Sequence, residues 1–227
     1  MVTLAAEKLG DLCSRVVFLG GAIVDLLVTE SVASPARPTD DVDVVVEVAG
    51  YIGYHELESE LRARGFGNVI EGPICRFRHG GLILDAMPTD ANVFGFGNRW
   101  YAHALESAVP YELPTGRYIR LIAAPCFLAT KLDAFDSPDR EGHGDMVASK
   151  DFEDIVRVLN GRGAIASEVR GSSDHLRVWL EEQFRTLALD PRLPDGLVAH
   201  LDTDWASQAR VSLVLGRIRK LAGLGDA

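Results

Sequence analysis

Cysteine is scarce in this chain. Its three residues among 227, Cys13, Cys75 and Cys126, are widely spaced and form no Cys-x-x-Cys pair. That argues against a disulfide framework and a structural zinc site, and makes a reducing cytoplasm the expected setting. No run approaches the ~18 consecutive apolar residues of a membrane-spanning helix, so no membrane association is expected. The stretch MVTLAAEKLGDLC carries acidic residues and lacks the basic, apolar and cleavage regions of a secretory signal. The six histidines (55, 79, 103, 143, 175 and 200) show no metal-ligand spacing, and no cysteine stands beside a candidate base. Internal repeats and low-complexity segments are missing too. Basic charge is in deficit: 23 Lys and Arg against 33 Asp and Glu give a formal net charge of −10. General coating of nucleic acid is thereby disfavoured, although one local basic groove stays open.

What is present is ordinary globular composition, 47% hydrophobic and 25% charged, long enough for one large domain or two small ones. The first half alternates strand-like and helix-like stretches. VVFLG (16–20) reads as a strand running into Gly20-Gly21, AIVDLLVTES (22–31) as a helix, and SVASPARPTD (31–40) as a loop. DVDVVVEV (41–48) is a β-branched strand, and YHELESELRARGF (54–66) is an amphipathic helix closed by Gly65. ICRFRHGGLILDAMP (74–88) predicts a hairpin turning at Gly80-Gly81. Beyond residue 120 the pattern is helical, and Asp136–Ser149 is the longest polar stretch, expected to be a loop. The expectation is an α/β (α+β) protein: a small mixed sheet with flanking helices over 1–122, then a helical domain over 123–227.

Chemistry enters at Asp41-Val42-Asp43. Residues i and i+2 of a strand share a face, so both carboxylates look one way while alternate valines bury the other. Like charges this close repel unless a cation joins them, and hard divalent cations want oxygen ligands. A solvated strand entrance is the plainer alternative. Asp85, inside the apolar run LILDAMP, needs a partner or a metal because an unpaired buried carboxylate costs several kcal/mol. Two acids on one strand and a third on a neighbour make the ligand set of a two-metal phosphoryl-transfer site, whereas an edge-strand Asp beside a surface Arg would be the dull reading. Gly20-Gly21, between strand and helix, would let backbone approach a phosphate or would simply make a tight turn. Lys131 lies in an otherwise apolar helix and needs an anionic partner, or else snorkels to the surface. Asp151 and Asp154 share a helix face, with Ser149 as candidate N-cap, and could equally serve the helix dipole. Trp100 and Tyr101 read as core residues that could instead stack a base. Arg76 and Arg78 form a small basic edge, and Arg210, Arg217, Arg219 and Lys220 a basic face on the last helix. Either could meet RNA phosphates, with a solvated surface as the default.

Gly20-Gly21, one helix, Arg37-Pro38-Thr39-x-Asp41-x-Asp43 and a later strand Asp85 together resemble the nucleotidyltransferase superfamily typified by DNA polymerase β. Lys131 in FLATKLDAF and Lys150-Asp151-x-x-Asp154 resemble later motifs of its AbiEii branch, which contains toxins of type IV toxin–antitoxin systems. The resemblance covers roughly residues 16–160. It implies Asp41, Asp43 and Asp85 as ligands of Mg²⁺ or Mn²⁺ and catalytic carboxylates, and Gly20, Gly21, Arg37 and Thr39 as the nucleotide-binding set. It further implies Lys131 as counter-charge to the triphosphate, with Asp151, alone or with Asp154, orienting it or helping to activate the acceptor. The stretch between Gly21 and Asp41 is several residues longer than in compact members.

The function expected is metal-dependent transfer of a nucleoside monophosphate from an NTP, ATP among them, to an acceptor, with release of pyrophosphate. Charge neutralisation and positioning would do most of the catalysis in a cleft between the two halves. RNA, foremost a tRNA 3′ end, is the leading acceptor, and a toxin-like protein would have a cognate antitoxin as partner. A small cationic molecule, as in antibiotic nucleotidyltransferases, is the second candidate. A nucleotide-binding regulator without turnover is the third.

Overall fold

The computed structural model describes residues 1–30, 36–140 and 142–225. Its contacts divide the chain into two units, Met1–Ile23 with Arg37–Phe127, and Val24–Ala36 with Leu128–Ala227. Helix α1 (Val2–Leu9) opens the first unit and buries Val2, Ala5, Ala6 and Leu9, an apolar stripe at helical spacing. Strand β1 (Val16–Leu19) is wholly buried and ends on Gly20. The helix expected over 22–31 is much shorter. A 3-10 turn over Gly21–Ile23 leads into α2 (Val24–Leu27), which lies in the second unit. The backbone N–H groups of Thr29 and Glu30 instead donate to the Gly161 carbonyl, both at 2.9 Å, so a tertiary acceptor replaces the helical one. Of the loop expected over 31–40, residues 31–35 lie outside the described residues, and 36–40 are irregular.

Strand β2 (Asp41–Val46) follows, then α3 (Gly50–Ala63), β3 (Gly67–Asn68), β4 (Arg76–His79) and β5 (Leu82–Pro88). Helix α3 starts four residues before the expected point and is left through Gly65, whose φ of +85° a residue with a Cβ would resist. Helix α4 (Tyr101–Glu106), strands β6 (Val109–Glu112) and β7 (Tyr118–Leu121) and the first turn of α5 (Ala124–Phe135) complete this unit. Its seven strands form one mixed sheet in the order β3-β4-β5-β2-β1-β7-β6. The central β2 runs antiparallel to β1 and parallel to β5, and β4 and β5 are the expected hairpin. β-Branched residues suit β2 because it is flanked on both edges and buries Val42, Val44, Val45 and Val46.

The second unit is helical: the rest of α5, then α6 (Lys150–Gly161), α7 (Ile165–Arg170), α8 (Asp174–Leu189), α9 (Leu193–Ala199), α10 (Trp205–Gln208) and α11 (Val211–Leu221). Within 136–149, Asp145 accepts from the N–H groups of Val147 at 2.8 Å and Ala148 at 3.1 Å. Ser149 then caps α6, accepting from Phe152 N–H at 3.3 Å. The α/β (α+β) class expected, a small mixed sheet followed by a helical C-terminal part, is what the chain adopts. Among the described residues no helix is long and apolar enough to cross a membrane.

Candidate active site

Four neighbouring strands bring one face together. Asp43 on β2 is the direct register partner of Asp85 on β5, and Asp41 stands two residues before it on the same side. Across the hairpin, Asp85 is paired with Arg76 on β4. Gly20 ends β1 just beyond Leu19, the partner of Asp43. The expected carboxylates Asp41, Asp43 and Asp85 are therefore gathered on one side of the sheet centre.

The sequence puts Arg76 on a small basic edge, and what it does not show is this residue's place among the carboxylates. Its Nε and Nη2 donate to Asp85 Oδ1 and Oδ2 at 2.8 and 2.7 Å, and Nη2 also reaches Asp41 Oδ2 at 2.8 Å. The hydrogen bond to Asp85, then the charges of Asp85 and Asp41, hold the guanidinium above its ordinary pKa against the opposing cost of burial. Asp85 thus has an arginine partner, as the plain reading allowed. Its strand is an interior one, however, and the arginine turns inward rather than forming a basic edge. The signal was in the sequence: a two-residue turn at Gly80-Gly81 puts 76 opposite 85.

Gly20 sits at φ +78°, and a Cβ there would collide with the Asp43 carboxylate, 2.6 Å from its Cγ. The glycine is needed because Asp43 lies against it. Gly21 begins the 3-10 turn. Arg37 is half-buried ahead of β2, and Thr39 Oγ1 donates a long 3.3 Å bond to the Asp41 carbonyl.

The second unit holds a separate buried cluster. Lys131 Nζ contacts Asp151 Oδ1 at 2.9 Å and Asp154 Oδ2 at 2.7 Å, and its side chain is 10% exposed, which rules out snorkelling. Burial opposes the ammonium charge, but Asp154 and Asp151 outweigh it and keep the pKa above 10.5. Asp154, 3% exposed, is an interior partner of the lysine and not only a helix-dipole acid. Arg140 Nε also reaches Asp151 Oδ2 at 3.4 Å.

The basic face expected on the last helix is only partly one. Arg217 Nη1 donates to the Leu159 and Asn160 carbonyls at 2.6 and 3.0 Å, and Arg210 to Asn160 Oδ1 and O at 2.6 and 2.7 Å. Both close the C-terminal end of α6, where exposed carbonyls attract cations. Trp100 is 1% exposed and belongs to the core, while Tyr101 Oη lies 3.0 Å from Met87 Sδ.

Among the described residues no three His, Cys, Asp or Glu side chains already converge as a metal cage. The donor chemistry nonetheless fits a hard divalent cation. Asp41, Asp43 and Asp85 supply only oxygen, on one face, and the bare Cα of Gly20 leaves Asp43 its place.

No protein-family model matches the sequence, and no curated protein matches it. Among solved structures the chain is similar to a crystal structure of ANT(2'')-Ia in complex with adenylyl-2''-tobramycin. The identity is 20% and the TM-score 0.43, over 74% of this chain and 92% of that one.

Proposed function

We propose that the chain is a metal-dependent nucleotidyltransferase of the polymerase β-like kind. The observation that carries this reading is the carboxylate face: Asp43 and Asp85 in register on parallel strands, Asp41 beside them, and Gly20 against Asp43. Asp41, Asp43 and Asp85 would hold Mg²⁺ or Mn²⁺, which would supply charge neutralisation for the triphosphate and a lowered pKa for an acceptor hydroxyl. The acceptor oxygen forms a bond to the α-phosphorus of the NTP, the bond to the bridging oxygen breaks and pyrophosphate leaves, and the acceptor's hydroxyl proton passes to solvent. Gly20, Gly21, Arg37 and Thr39 contribute to nucleotide binding in this reading. Lys131, Asp151 and Asp154 form their own buried ion cluster in the second unit. Their spacing, Lys131 with Lys150-Asp151-x-x-Asp154, is what keeps the AbiEii-like relationship in the proposal.

For the acceptor, the structure favours a small cationic molecule over RNA. Arg210 and Arg217, half of the basic set that RNA would need on the last helix, are engaged in closing α6, and the chain carries a net charge of −10. RNA at a tRNA 3′ end, with a toxin role and an antitoxin partner, is the second reading, supported by the AbiEii-like motifs. One assay separates them. The protein is incubated with Mg²⁺ and each α-³²P-labelled NTP in turn, with total tRNA in one series and a panel of hydroxylated small cations, amino sugars among them, in the other. Asp41→Ala is the control. Label on a small cation, lost in the variant, is the expected result. Label on tRNA would move the acceptor to RNA, and no label on either would remove both.

A further inference from the structure

Asp41, Asp43 and Asp85 carry a formal −3, and Arg76 brings the face to −2, the charge that one divalent cation balances. Arg76 does not treat its two partners alike. It grips Asp85 through Nε and Nη2, and that carboxylate is only 9% exposed. It holds Asp41 by a single Nη2 contact, and that side chain is 32% exposed. Asp85 cannot give up its arginine without being left buried and unpaired. Asp41 can change partners at little cost, since half-solvated ion pairs contribute little.

We infer that Arg76 is a built-in counter-ion of the carboxylate face, fixed on Asp85 and exchangeable on Asp41, so that an incoming divalent cation takes Asp41 from it and meets a face already reduced to −2. The inference rests on the reading of these carboxylates as metal ligands. Arg76 is a positioning residue in it: it acts through Asp41 and Asp85 and touches no reacting atom. Its charge also weakens metal affinity, which keeps the ion exchangeable when nucleotide arrives.

The test is Mn²⁺ binding without nucleotide, followed by the electron paramagnetic resonance signal of unbound Mn²⁺, for the wild type, Arg76→Gln and Arg76→Lys. Removing a unit charge within ~5 Å of a divalent ion should tighten binding about tenfold or more, while Arg76→Lys stays near the wild type. A merely structural arginine would leave Mn²⁺ affinity unchanged. Equal or weaker binding by Arg76→Gln therefore overturns the inference and leaves the nucleotidyltransferase reading standing. No binding by any form overturns both. Should Arg76→Gln fail to fold, Mg²⁺ titration of the wild type by NMR decides. The Arg76 guanidinium signals, assigned through Arg76→Lys, should shift in step with the Gly20 amide. A Gly20 amide that moves while Arg76 stays still contradicts the exchange.

Discussion

Gly20 shows how narrowly single residues are constrained at the carboxylate face. Its φ of +78° is a left-handed conformation, and any side chain there would run into Asp43. Gly20→Ala is expected to cost about 1–3 kcal/mol in denaturant unfolding and to reduce nucleotidyl transfer through displacement of Asp43. Lys131 poses the opposite problem. Replaced by Met, it would leave Asp151 and Asp154 buried without their cation, at a cost of about 3–5 kcal/mol. Because the folded-state pKa of Lys131 is raised, its stabilising contribution is complete below pH 10.5 and is lost as pH climbs through the raised value. The wild type should therefore lose unfolding free energy in strong alkali, and Lys131→Met should lack that part of the decline. Burial is the first cause that pushes the thiols of Cys75 and Cys126 up to about 12. Both should resist iodoacetamide at mildly alkaline pH in the native protein and react once it is unfolded. Labelling followed by mass spectrometry checks this.

Elements differ in how much of them could be read from residues alone. The hairpin of β4 and β5 was legible because its period of two, the diglycine turn and the apolar run agree, and its register even places Arg76 opposite Asp85. Strand β2 was legible for the same reason: alternation fixes which face Asp41 and Asp43 share. The segment after Gly21 was not, because Thr29 and Glu30 find their acceptor at Gly161, far along the chain. The last helix misled in a similar way. Its arginines repeat at surface-like positions, yet Arg210 and Arg217 are spent on α6 carbonyls that no local pattern announces. Lys131 with Asp154 lay between these cases, since spacing pairs the two aspartates on one face but cannot show which interior cation they meet. At this scale, Arg217→Ala should uncover the Leu159 and Asn160 carbonyls and lower stability by about 1–2 kcal/mol, read by thermal or denaturant unfolding. Gly161→Ala should be worse tolerated than an ordinary helical Gly→Ala change. Its Cβ would come 2.6 Å from Val28 Cγ1, and overpacking of that kind costs about 1–3 kcal/mol.

For the whole molecule, in the proposed reading, a net charge of −10 and the carboxylate face of Asp41, Asp43 and Asp85 make the chemistry depend on imported positive charge: a divalent ion and a cationic acceptor. Clustered like charge also explains why the decisive variants should fold. Removing one of several neighbouring carboxylates relieves repulsion as much as it removes pairing. The most direct measurement is therefore Mg²⁺-dependent pyrophosphate release from NTP in the presence of acceptor, compared between the wild type, Asp41→Ala and Asp43→Ala, with melting temperatures recorded alongside. The account predicts release by the wild type that requires Mg²⁺, and a loss of about a hundredfold or more in both variants at nearly unchanged melting temperature. Full release by a well-folded Asp43→Ala protein, or wild-type release indifferent to Mg²⁺, would contradict it.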